Sequence, residues 1–310
     1  MLADTYTDEM KATDLVAETP DAIVRNTFGL IYDDGYYGMI TDEMVPLDAF
    51  SDYVFLRTPS DDTLSPTHAY AFTGLVARMR DGTLYVLLSS FTATAYLDDI
   101  RVHGESTSLW GTAMEAFVGE YRKMLTETET GVIVDLRGNR GGLAYDLALW
   151  WAPLIEGNIT FAYTRRKIGG NRLAYGPWQP WHLEGTAEER VDCPIAVLIN
   201  SATASCGEIS ALALREMGKH GYDVTLIGSP TYGAFGAIAA GYNAGTFSLP
   251  PYVALVYTPM LETVDSERVS HEGKGIPVDV YAGFDADAFR RGEDGRLRLA
   301  QEVVAQGGVG

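Results

Sequence analysis

The 310-residue chain predicts an α/β fold with a largely parallel central sheet and flanking helices. Short apolar runs at 84–88, 131–136, 194–199 and 224–227 read as buried strands. Segments with helical spacing stand between them, and that alternation builds parallel sheets. A composition of 46% hydrophobic and 21% charged residues is ordinary for a globular protein and leaves ample length for one large core.

The elements follow in order. Thr19-Pro20 starts a helix, a cap followed by proline, with Ile23, Val24, Phe28 and Ile31 on one face and Asp33-Asp34-Gly35 at its end. Residues 59–66 form a polar loop. Residues 68–72 alternate like a strand, and Arg80-Asp81-Gly82 marks a turn before the 84–88 strand. Trp110, Met114, Phe117, Val118, Tyr121 and Leu125 line one helix face. After the 131–136 strand, 143–154 is helical and 159–178 is a hairpin turning at Gly169-Gly170-Asn171. A strand at 194–199, a helix at 205–217 and a strand at 224–227 come next. Residues 246–256 and 278–280 add strand, and 297–304 closes the chain as a helix. The organisation expected is a small accessory region over 1–78 and a core over 79–310.

Ser205 stands where the 194–199 strand passes into a helix marked by Ile209, Leu212, Ala213 and Met217. A helix N-terminus offers unpaired N–H groups and partial positive charge, which suits an oxyanion. Two readings stay open on the local pattern. Ser205 is an ordinary N-cap, or it is a nucleophile with anion stabilisers beside it.

The net charge is −19, from 23 basic and 42 acidic residues. Such a field disfavours nucleic acid and anionic membranes as partners. No apolar run reaches transmembrane length. The polar opening Met1-Leu2-Ala3-Asp4 does not read as a signal peptide, so the chain is cytoplasmic, or extracytoplasmic with a leader removed. Cys193 and Cys206 flank a strand that separates them by roughly 20 Å, so two free thiols are expected. No HExxH, CxxC, EF-hand, Walker A or GxGxxG spacing occurs, so no metal or cofactor is expected.

Three more phrases bear on Ser205. Asp135-Leu136-Arg137-Gly138-Asn139-Arg140-Gly141-Gly142 ends one buried strand, and its glycines permit a sharp turn and close approach. Gly228-Ser229-Pro230-Thr231-Tyr232-Gly233 follows another. His271-Glu272-Gly273-Lys274-Gly275-Ile276-Pro277-Val278-Asp279 is a glycine-rich loop running into a short strand. Together with the Thr203-Ala204-Ser205 to Glu208 phrase, this order resembles the S41 tail-specific, or C-terminal processing, peptidases, the tricorn core among them. The resemblance covers about 80–305. It implies a serine hydrolase of the ClpP/crotonase-like α/β type acting on a peptide or protein. It puts Ser205 at the nucleophile and places the oxyanion hole at the N–H of Cys206 and one from Gly141 and Gly142. It puts Tyr232 and Gly233 beside the substrate groove.

The departures from the family are specific. Many members carry a lysine base directly after the GxPTxG loop; Ala234 stands there. The other branch uses a histidine in an early D-G-H-[ST] phrase, oriented by a glutamate. Glu272 matches that glutamate, while Tyr36, in Asp34-Gly35-Tyr36-Tyr37-Gly38, occupies the histidine position. A tyrosine of pKa near ~10 is a poor base at neutral pH. Of the other candidates, His220 lies roughly 20 Å along the Ser205 helix. His103 and His182 lie in polar stretches, and His271 points away from its neighbour Glu272. His68 is the best-placed substitute. Only 45 residues separate Gly38 from Leu84, too few for a PDZ module.

Trp150, Trp151, Tyr163, Tyr175, Trp178 and Trp181, interleaved with Arg165, Arg166 and Lys167, either pack the hairpin on the sheet or, through Trp178, wall the groove. Two functions remain: a serine peptidase, or a catalytically impaired homologue that holds peptides or a hydrophobic ligand. An α/β-hydrolase esterase is disfavoured, because Thr203 replaces the first glycine of G-x-S-x-G.

Overall fold

A computed structural model describes residues 50–307 apart from 59–71, 104–108, 172, 237–243, 250–252, 284, 286, 289–290 and 292. The expected helix at 19–35 and most of the 68–72 strand lie outside these residues, as do Tyr36 and His68.

The central sheet contains β1 (Phe50–Arg57), β2 (Thr73–Met79), β3 (Leu84–Leu88), β4 (Val132–Asp135), β7 (Ile195–Ile199), β8 (Val224–Gly228) and β12 (Val280–Tyr281), in that spatial order. From β3 to β12 every neighbouring pair is parallel, whereas β1 and β2 are added antiparallel at one edge. Residues 50–57 and 73–78, read from sequence as part of an accessory region, are thus strands of this sheet.

The unbroken apolar runs have a direct cause: both faces of the sheet are covered. Val86, Val134 and Val197 point into a core shared with α2 (Leu109–Thr126) and α4 (Cys206–Lys219), through Met114, Phe117, Tyr121, Leu212 and Met217. Their neighbours Tyr85, Leu87, Ile133, Ala196 and Leu198 point the other way, against Leu297, Ala300, Val303 and Val304 of α5 (Gly295–Gln306). In a strand buried on both sides, both sets of alternating positions face a core, so apolar residues dominate throughout.

Four elements escaped the sequence pattern: β1, β2, β11 (Leu261–Asp265) and α1 (Ala93–His103). The N-terminus of α1 is capped from a distance: Asp146 accepts from the N–H groups of Ala93 (2.7 Å) and Thr94 (3.0 Å) and from the Thr94 hydroxyl (2.5 Å). The 143–154 helix is shorter than expected: α3 spans Asp146–Trp151 and tightens into a 3-10 turn, Ala152–Leu154.

Beside the main sheet, β11 (Leu261–Asp265), β5 (Asn158–Arg166) and β6 (Gln179–Glu184) form an antiparallel sheet of three strands. The hairpin is real, but its return strand runs over 179–184; among the described residues a Lys167–Tyr175 bridge precedes it, so most of the expected return segment is the arm's tip. The run 246–256 is two strands, β9 (Ala244–Leu249) and β10 (Val253–Pro259), paired antiparallel. Pro250 and Pro251 stand between them and carry no N–H for a ladder.

Candidate active site

The segments following β4, β7 and β8 leave adjacent parallel strands at the same end, where open α/β sheets bind ligands. They carry the double-glycine phrase, the serine phrase and the GxPTxG loop.

Ser205 is the N-cap of α4 and has φ 55° and ψ −126°. A non-glycine residue there costs about 1–3 kcal/mol and persists only where its surroundings hold it. Its N–H donates to the Ala234 carbonyl (3.1 Å) and to Glu208 Oε2 (3.2 Å). Upstream, the Thr203 hydroxyl donates to the Leu136 carbonyl (2.8 Å), and the Ala204 N–H donates to the Asn139 carbonyl (2.9 Å). The serine turn is therefore tied to the double-glycine turn on one side and the GxPTxG loop on the other. Ser205 itself is half-buried.

In the double-glycine phrase, Asp135 and Arg137 are structural. Buried Arg137 pairs with Asp135 (2.6 Å) and with Asp294 (2.6 Å), the N-cap of α5. Burial alone would lower the Arg137 pKa; the two carboxylates outweigh it and raise it well above the ordinary value. Asn139, fully buried, donates from Nδ2 to the Leu88 carbonyl (2.8 Å) and accepts the Gly141 N–H at Oδ1 (2.8 Å). Sequence reading quoted Asn139 but gave it no role.

That last bond distinguishes the two glycines. The Gly141 N–H is committed to Asn139, so Gly141 contributes closeness, not a donor. A Cβ on Gly141 would stand 2.6 Å from the Cys206 nitrogen and 2.7 Å from Ser205 Cβ. Gly142 is exposed, with φ 140°, and a Cβ there would meet the Phe91 carbonyl oxygen at 2.1 Å. The N–H groups of Gly142 and Cys206 donate to no oxygen among the described residues. The Cys206 thiol donates to the Gly142 carbonyl at 3.0 Å, and burial pushes that thiol up to about 11. At neutral pH it is a protonated thiol and no rival nucleophile.

The late acidic loop closes over the same place. Gly273 N–H donates to the Gly233 carbonyl (2.8 Å), and Ile276 N–H donates to the Thr231 hydroxyl (2.7 Å). Glu272, exposed, accepts the Phe235 N–H at Oε2 (3.0 Å). The Ala234–Phe235 peptide group thus accepts from Ser205 on one side and donates to Glu272 on the other. Amide dimensions and these two bonds place Ser205 N and Glu272 Oε2 within about 8 Å of each other.

Other expected residues fall as follows. Tyr232 is 69% exposed and donates its N–H to the Thr203 carbonyl (2.9 Å), and Gly233 donates to Glu208 (2.6 Å), so both border the serine turn. Trp178 belongs to the hairpin arm, with the Arg165 guanidinium 4.4 Å and that of Arg268 5.3 Å from its ring centroid. Trp150 and Trp151 are fully buried, so they are core and not groove. His182 bonds Thr160 (2.9 Å) and His220 caps the far end of α4. His271 is buried and bonded to Asp265 (3.0 Å). Burial would raise the Asp265 carboxyl, but the N–H groups of Val269 and Glu267 and the His271 ring hold it below its ordinary value. The neighbour of Asp265, Ser266, donates to Glu216, about 16 Å along α4 from Ser205. Cys193 and Cys206 are both free thiols.

The family model for peptidase family S41 matches residues 82–281, a span that includes all four phrases. The chain belongs to peptidase family S41. Among curated relatives, the carboxy-terminal processing protease CtpA of Bacillus subtilis is 33% identical over 187 residues, covering 56% of this chain and 35% of that protein. A carboxyl-terminal-processing protease of Synechocystis is 29% identical over 152 residues, 48% of this chain and 27% of its own. The S41 chain spans about a third or less of the length of these relatives. Two solved structures share its fold. A putative peptidase from Parabacteroides merdae has a TM-score of 0.58 at 18% identity, covering 87% of this chain and 73% of that one. Mature CPAF complexed with lactacystin also has a TM-score of 0.58, at 14% identity, covering 88% and 59%.

Proposed function

We propose that this S41 chain is a serine-type peptidase that cleaves peptide bonds of a peptide or protein through Ser205. Ser205 Oγ attacks the scissile carbonyl, and its proton passes to a base. The N–H groups of Cys206 and Gly142 hold the oxyanion. Collapse expels the amine, which takes the proton, and water then hydrolyses the acyl-enzyme.

The observation that carries this reading is the strained backbone of Ser205, held at φ 55° at the start of α4, beside two N–H groups that meet no described oxygen. Strain of this kind is retained where a site requires it. The Ala234–Phe235 peptide group, bonded to Ser205 on one side and to Glu272 on the other, keeps the glutamate beside the serine turn. Glu272 orients the base in this reading, and His68 or Tyr36 supplies it.

A second reading, an impaired homologue that binds peptides or a hydrophobic ligand, draws on Ala234, which stands where the family resemblance puts lysine. Labelling with a fluorophosphonate probe separates the two. A peptidase labels at Ser205, and Ser205→Ala abolishes the adduct. Absence of any adduct on the folded wild type would favour the binding protein.

A further inference from the structure

Glu208 is fully buried, three residues beyond the serine, and every partner of its carboxylate donates to it. Oε1 accepts from the Thr231 hydroxyl (2.6 Å) and the Gly233 N–H (2.6 Å). Oε2 accepts from the Ala234 N–H (2.6 Å) and the Ser205 N–H (3.2 Å). A carboxylate has about four acceptor positions, and here all are used. A helix cap alone would need only the Ser205 bond, the glutamate half of a capping box. The other three come from a loop 23–26 residues further along the chain.

We propose that Glu208 is a positioning residue that holds the GxPTxG loop against the serine turn and keeps Ser205 in its strained conformation. The inference rests on Ser205 being the nucleophile. Glu208 touches no reacting atom; it acts through the backbone of residues 205, 233 and 234. One carboxylate thereby sets two things at once. It fixes the Ser205 backbone, and it fixes the Ala234–Phe235 peptide group that links Ser205 to Glu272. Thr231 extends the clamp, since its hydroxyl donates to Glu208 while accepting the Ile276 N–H of the acidic loop. Glutamine conserves shape, but its NH₂ would face a backbone N–H whichever way the amide is turned, Gly233 on one side or Ala234 and Ser205 on the other.

The test compares Glu208→Gln with Leu297→Ala, a core substitution on the opposite face of the sheet. Two measurements are made well below each melting temperature. The first is the rate of fluorophosphonate labelling per folded molecule. The second is hydrogen exchange at the Gly233 and Ala234 amides. Glu208→Gln is expected to slow labelling and to speed exchange at these amides, each at least about tenfold. Leu297→Ala is expected to change neither. Glu208→Gln matching wild type in both measurements, or Leu297→Ala matching Glu208→Gln, overturns the proposal. If Glu208→Gln does not fold, wild-type exchange decides: slow Gly233 and Ala234 amides support the clamp, and amides as fast as those of an unstructured peptide refute it. A wild type that never labels removes the nucleophile reading, while exchange still decides the clamp.

Discussion

Placing a methyl group on Gly141 tests the closeness of the double-glycine turn to the serine. Gly141 has φ +94°, and its Cβ would stand 2.6 Å from the Cys206 nitrogen, 2.7 Å from Ser205 Cβ and 3.0 Å from the Ala204 carbonyl oxygen. All three neighbours belong to the backbone or first side-chain atom of the serine turn, so no rotamer change relieves the overlap. Gly141→Ala therefore carries a backbone penalty of about 1–2 kcal/mol and an overpacking cost of about 1–3 kcal/mol, together about 2–5 kcal/mol. Gly157 is the matched control: it has φ +71°, but a Cβ there meets nothing within 4 Å. Gly157→Ala should cost only the backbone share. Relieving the overlap at Gly141 means moving Ser205 or Cys206 by up to about 1 Å, which in a preorganised site is worth about a hundredfold in rate. Urea unfolding gives the stabilities, and the fluorophosphonate rate per folded molecule gives the site. The reasoning is refuted if Gly141→Ala labels at the wild-type rate, or if Gly157→Ala loses as much stability as Gly141→Ala.

Further outcomes follow from the buried groups around the site. Arg137→Met removes the buried cation that Asp135 and Asp294 share and should cost about 3–5 kcal/mol, seen in thermal unfolding as a melting temperature lower by about 10 °C. Cys206, held up to about 11 by burial, should resist iodoacetamide at pH 8 in the folded protein and react readily in urea. The same shift fixes a sign. The unfolded thiol ionises near 9.0 and the folded one later, so the folded state holds the extra proton in between. The Cys206 contribution to stability is then complete below about 9 and declines as pH rises toward about 11. Urea titration of wild type against Cys206→Ala reads it out; parallel curves across that window would contradict the shift.

The strands at 84–88, 131–136, 195–199 and 224–227 were legible because both sides of the sheet are covered, leaving runs that are apolar except for Asp135 and Thr225. The serine phrase was legible because strand and helix periodicities meet at Ser205. The role of Asn139 was not, since what makes it matter is a Leu88 carbonyl fifty-one residues away. Glu208 and α1 escaped for the same reason: their partners are distant in the chain.

The amino-acid order alone determined the α/β class, the four phrases and a serine at a helix start, because these depend on local periodicity and residue type. Tertiary structure decided which glycine keeps a usable N–H, that Asp135 and Arg137 anchor α5, and that one peptide group joins Ser205 to Glu272. Hydrogen bonds between remote segments depend on where the folded backbone brings them, and spacing along a chain carries no record of that.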